Sequence, residues 1–422
     1  MIAAFARRLP FYYGWVVVAV VFVTMAFGVN ARTAFSLVFP PILAEFGWDR
    51  GATAGAFSFG FVVSATLSPT LGRLMDRYGP AAVMEFGVLA TASGLLLSTL
   101  ATQPWHIYAT LGVLVGGGSV CLGYSGQSLF LPGWFVRRRG LATAIGFSGV
   151  GIGSIVLLPW MQGLIEATGW RSALQILGVL LIIVVAPINL LLRRRPQDLG
   201  LHQDGAASPT ARRNIVNPAW AATDWTLARA RRTGKFWWIA LGYFGCLYSW
   251  YAVQVHQTKY LLENGFDAHT AAWALGAVSL AGIPGQIALG WLSDRIGREA
   301  VWAIGCFGFV LTYLALLALP LAPAAGLLWV IVLAQGMLGY GVTSVLGAVV
   351  LEIFEGAQFG LIFGVLMLGG LAGGAIGPLV TGVLHDLTGN YVLAFWLCVG
   401  TSVLSAIAIW QAAPRHIRSV RG

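Results

Sequence analysis

No Asp, Glu, Lys or Arg stands between Tyr108 and Val136, and none between Val301 and Val350. A bilayer span needs about 20 consecutive apolar residues, so each stretch holds two spans, or one span and a turn. Apolar segments recur along the whole chain, at roughly 12–38, 52–72, 81–101, 106–131, 140–164, 172–192, 236–260, 269–292, 300–320, 325–350, 359–384 and 391–412. One long polar interval, Arg193 to Lys235, divides them six and six. The expected fold is an all-α polytopic membrane protein with twelve transmembrane helices. Residues 1–192 form one six-helix bundle, 193–235 a cytoplasmic linker and 236–422 a second bundle. Only 9% of the 422 residues are charged, too few to cover a water-soluble domain of that length. The apolar stretch after Arg7 and Arg8 lacks a small-residue cleavage site and reads as a retained first helix.

The net charge of +10 would suit nucleic acid, but its distribution argues against that partner. With the N-terminus inside, the inner loops hold all of the 25 basic residues except Arg32, Arg50, Arg171 and Lys259. That bias marks cytoplasmic loops. The expected location is the cell's inner membrane, multi-pass, with both termini cytoplasmic, and a monomer suffices. Cys121, Cys246, Cys306 and Cys398 all fall in apolar segments without metal-ligand spacing and read as small buried hydrophobes. No phosphate-cradling Gly-x-x-x-x-Gly-Lys-Ser/Thr occurs. Neither an enzyme nor a cofactor is expected.

The halves repeat one another. Gly72-Arg73-Leu74-Met75-Asp76-Arg77-Tyr78-Gly79 follows the second span, and Gly290-Trp291-Leu292-Ser293-Asp294-Arg295-Ile296-Gly297 follows the eighth, offset by 290 − 72 = 218. Gly140-Leu141, Gly149, Gly153 and Thr168-Gly169 recur as Gly360-Leu361, Gly369, Gly373 and Thr388-Gly389, offset by 360 − 140 = 220. A train of matches at nearly one offset means duplication. Two parallel six-helix halves are a transporter architecture, with substrate held between them near the midplane. Asp76, Arg77, Asp294 and Arg295 are candidate gating residues, because a carboxylate at a helix end caps a neighbouring helix or pairs with basic loop residues.

The doubled loop resembles the signature of the major facilitator superfamily, and the resemblance covers the whole chain. Finer features resemble its oxalate/formate antiporter and monocarboxylate porter branch. These are Tyr13-Gly14-Trp15, Phe39-Pro40-Pro41 with Glu45-Phe46-Gly47-Trp48, Trp134-Phe135 before Arg138-Arg139-Gly140-Leu141-Ala142, Arg195-Pro196-Gln197-Asp198-Leu199-Gly200-Leu201, and Phe236-Trp237. The resemblance implies transport of small organic acids by proton symport or anion exchange. One position departs from it: Gln286 stands where carboxylate transporters of the branch place an arginine, four residues before Gly290. A glutamine hydrogen-bonds a carboxylate but does not neutralise it.

Ionisable groups within spans are costly and default to functional hypotheses. Arg32, in the outer part of span 1, is either an anion ligand or a side chain snorkelling to the interface. On span 7, Tyr251 and Gln254 share a face, His256 is either a proton relay or a hydrogen-bonded packing residue, and Lys259 reads as an interfacial anchor. Tyr124 and Gln127 on span 4, and Tyr340 with Thr343 on span 10, form a polar cavity wall or glue helices together. The candidate substrate-binding residues are therefore Arg32, Tyr124, Gln127, Tyr251, Gln254, His256, Gln286 and Tyr340. The favoured function is a secondary carrier of a small organic anion, proton-coupled or exchanging, by alternating access. The alternatives are a proton-driven exporter of an amphipathic or drug-like compound, which would want a mid-depth carboxylate that spans 1, 4, 7 and 10 lack, and a non-transporting sensor of the same fold.

Overall fold

Inside a bilayer no water serves the backbone, so an apolar segment must close its own hydrogen bonds as a helix. The computed structural model describes residue 6 and residues 9–48, 50–206, 215–321 and 325–418. Of the inner-loop basic residues named or implied above, Arg7, Arg8, Arg212, Arg213 and Arg421 lie outside the described residues, as does the side chain of Arg50.

The helices follow the apolar segments. In chain order they are α1 (Gly14–Phe46), α2 (Arg50–Ser98), α3 (Pro104–Trp134), α4 (Arg139–Asn189), α5 (Gly234–Glu263), α6 (Ala268–Ile296), α7 (Arg298–Ala318), α8 (Gly326–Ile353), α9 (Phe359–Thr388) and α10 (Val392–Ala412). Two of these hold two spans each: α2 is broken at Gly79 and α4 at Gly169. Counted so, the helices carry all twelve spans. The chain divides into two compact units, Met1–Val136 with Ile145–Ala211, and Arg137–Ala144 with Arg212–Gly422.

The duplication is visible in the backbone. Gly79 and Gly297, the closing glycines of the two loop motifs, have φ of 79° and 105°. Gly169 and Gly389, the second matched pair, have φ of 85° and 71°. Side chains with a Cβ avoid this left-handed region, so both halves need glycine at both turns. Helix packing repeats too. A Cβ on Gly149 would lie 2.1 Å from the Phe22 carbonyl oxygen, and one on Gly373 would lie 2.1 Å from that of Phe244. Spans 1 and 5 of the first unit, and 7 and 11 of the second, thus touch backbone to backbone.

Of the basic residues outside the inner-loop set, the three with described side chains meet acids or the bundle. Arg171 pairs with Glu45 at 2.6 Å and Lys259 with Glu263 at 3.7 Å, while Arg32 turns into the first unit. Each end of the linker packs on its own unit. In the first, Asp204 accepts the Val136 N–H at 3.1 Å. In the second, Ile215 bridges Arg418, and Trp220, Trp225 and Phe354 form a ring cluster. Trp225 is buried at 6% exposure. A short helix starts after it, at Leu227, capped by Thr226. Burial and the neighbouring Arg415 push the Lys235 ammonium below its ordinary pKa, opposed by Glu299. Its charge rests on the Ala412 carbonyl at 2.5 Å.

Candidate functional site

In the first unit, a small pocket with room for about one water molecule is lined by Ala31, Arg32, Phe35, Val38, Gly60, Leu95, Leu111, Val115 and Leu174. Arg32 is its one charged wall. The guanidinium lies 3.7 Å over the Phe61 ring centre and donates to Ser64 Oγ at 3.4 Å. Ser64 in turn donates to the Gly60 and Gly116 carbonyls at 2.8 and 2.7 Å. The aromatic face and the hydroxyl stabilise the cation where water is scarce. A guanidinium fixed beside apolar walls can attract a small anion by charge and hydrogen bonding.

The span 4 residues divide. Tyr124 is partly buried and meets Phe147 edge-on at 5.2 Å. Gln127 is fully buried. Its amide donates to the Leu122 carbonyl at 3.2 Å and to Met84 sulfur at 3.3 Å. The helix breaks at Gly123, whose ψ is −165°, and Gln127 serves a carbonyl at that break. Its neighbours give it a structural task.

In the second unit, four of the five sequence candidates gather into one neutral polar group. Gln286 is buried and donates to Thr343 Oγ1, which donates to the Tyr340 carbonyl at 2.7 Å. Gln254, Ser279 and Tyr251 stand near the Tyr340 hydroxyl. Its ring lies against Gly282 and 4.6 Å from Trp250. His256 stands apart: its ring nitrogens meet the Pro378 carbonyl at 2.9 Å and the Tyr391 hydroxyl at 3.3 Å. Both nitrogens are engaged, the arrangement of a packing histidine. Ser279 was missed because a lone serine in an apolar span gives no signal of its own.

The loop motifs lead to two different contacts. Asp294, in the second unit, accepts the Gly140 and Leu141 N–H groups at 2.9 and 3.0 Å, capping α4. It also pairs with Arg298 at 2.6 Å. Arg298 reaches Glu352 at 2.9 Å, and Arg139 reaches the same oxygen at 3.3 Å. All four side chains of this quartet are nearly sealed from solvent. In the first unit, Asp76 pairs with Arg194 at 3.0 Å. Arg77 and Arg295 stack on Tyr78 and Trp291, at 5.2 and 3.7 Å. The sequence reading missed Arg139, Arg298 and Glu352 as partners. A signal existed: Glu352 is the first charged residue after the charge-free run from Val301 to Val350.

The Major Facilitator Superfamily model matches residues 16–346 and 239–420. This chain belongs to the major facilitator superfamily. Monocarboxylate transporter 13 of Rattus norvegicus is 29% identical over 400 residues, covering 93% of this chain and 88% of that protein. Monocarboxylate transporter 11 of Mus musculus is 28% identical over 423 residues, covering 96% and 89%. The crystal structure of the superfamily transporter FucP in the outward conformation superposes with a TM-score of 0.72 at 16% identity, covering 94% of this chain and 97% of that one. The fold is therefore that of the superfamily, and the chain is a multi-pass membrane transporter of a small molecule, not an enzyme.

Proposed function

We propose that this transporter is a secondary carrier of a small organic anion of monocarboxylate type, working by alternating access with proton coupling or exchange. The observation that carries the reading is Arg32, a cation held by Phe61 and Ser64 in the wall of an otherwise apolar cavity. The monocarboxylate transporters at 28–29% identity support it. Arg32 would attract the carboxylate. Tyr251, Gln254, Gln286 and Tyr340 of the second unit are further proposed substrate ligands, their neutral polar groups suited to hydrogen bonding. Asp76 and Asp294 would hold the inner gate through Arg194 and Arg298, with 1–192 and 236–422 as the moving domains. In proteoliposomes, Arg32→Gln is expected to lower carboxylate uptake at least 100-fold while the protein elutes and melts as the wild type does. Undiminished uptake in that variant removes Arg32 as the anion ligand.

The same reading places the protein as a monomer in the inner membrane with both termini cytoplasmic. A tag fused after Gly422 should be cleaved by protease only in inside-out vesicles. Cleavage in right-side-out vesicles reverses the orientation. An exporter of amphipathic compounds is the second reading, favoured by the missing cation at Gln286. Stimulation by neutral or cationic compounds, and none by carboxylates, would select it.

A further inference from the structure

Where the linker enters α5, charge and aromatic surface meet without a protein partner. Arg229, Arg231 and Arg232 are exposed, and among the described residues no ion pair involves Arg231 or Arg232. The one acid between Asn217 and Lys235 is Asp224, itself exposed. Directly after them, Trp237 is 62% exposed, and its indole N–H donates to the Arg231 carbonyl at 2.9 Å. That bond fixes the indole beside the basic turn. The end of α10 adds a second pair at the same place, because Lys235 bonds the Ala412 carbonyl. There Arg415 lies 4.6 Å over exposed Trp410, with part of its charge spent on Glu299 at 3.3 Å.

We infer that this patch, formed by Arg231, Arg232, Trp237, Trp410 and Arg415, is a binding site for an anionic phospholipid. Exposed tryptophans at a span end sit at headgroup depth with their rings against acyl chains. Unpaired guanidiniums one turn further out meet the phosphate and hold it by charge-assisted, bidentate hydrogen bonds. The pairing of apolar and cationic surface distinguishes a lipid from a free anion, which needs no indoles. Basic clusters just outside a span attract anionic lipid in proportion to their charge. Here the tryptophans confine that attraction to one place.

The test uses the purified full chain in neutral detergent, titrated with phosphatidylglycerol, with phosphatidylcholine of the same chains, or with inorganic phosphate. Native mass spectrometry counts retained lipids, and melting temperature reports binding to the folded state. Phosphatidylglycerol is expected to be retained and to raise the melting temperature, while phosphatidylcholine and phosphate do neither. Arg231→Gln with Arg232→Gln should weaken retention roughly tenfold to thirtyfold at unchanged helix content. Arg73→Gln with Arg138→Gln, which removes two exposed arginines elsewhere, should leave it intact. Equal retention of phosphatidylcholine, an equal effect of phosphate, equal loss in the control variant, or full retention by the Arg231/Arg232 variant each overturns the site.

Discussion

The Glu352→Gln variant is expected to melt roughly 10 °C below the wild type, as about 3–5 kcal/mol lost from one unit implies. One Glu352 oxygen receives both Arg139 and Arg298, at 3.3 and 2.9 Å, and its side chain is 6% exposed. Glutamine keeps the shape and removes the charge, leaving two buried guanidiniums to share Asp294 and the more distant Glu355. Water cannot compensate at that depth. Breaking a buried pair from one side costs more than the pair contributes. The companion variant Glu352→Gln/Arg139→Gln, which restores the balance of charge, should recover part of the loss. A double-mutant cycle with non-zero coupling would show that the two act together. A fall of less than about 2 °C in the single variant would mean the quartet is hydrated and contributes little.

The second large effect is at Gly373. Even Gly373→Ala places a Cβ 2.1 Å from the Phe244 carbonyl oxygen, a backbone atom that no rotamer change can move. Helices α5 and α9 must then separate along their whole contact. The expected cost is at or above the upper end of the roughly 1–3 kcal/mol typical of overpacking. Gly400→Ala, on α10, meets nothing within 4 Å and should melt within about 2 °C of the wild type. If both alanines are equally tolerated, the close approach of spans 7 and 11 is wrong. The matching change Gly149→Ala, against Phe22 O at 2.1 Å, should behave as Gly373→Ala does, since the repeat places it at the equivalent contact.

Much of the site was half legible. Arg32 stood out because an arginine inside a span is costly and rare, yet nothing in the sequence named Phe61 or Ser64 as its supports. Tyr251, Gln254, Gln286 and Tyr340 each showed as polar residues in apolar spans, and their gathering needed spans 7, 8 and 10 to be packed. Gln127 and His256 looked alike as candidates. Their surroundings set them apart, one serving a helix break and the other held between Pro378 and Tyr391.

By itself the sequence determined where helices run, that there are twelve, and that the halves are copies. Each of those follows from properties local to the chain: apolar length, charge-free runs, and glycines that alone adopt positive φ at positions 79, 169, 297 and 389. Tertiary structure decided partners. Asp76 and Asp294 stand in the same motif, but one meets Arg194 and the other caps α4 and binds Arg298. A carboxylate's partner is whichever donor the packing brings within 3 Å, and packing depends on which faces of distant helices meet. Hydropathy along the chain averages over faces, so it carries the fold and leaves the pairing to the folded protein.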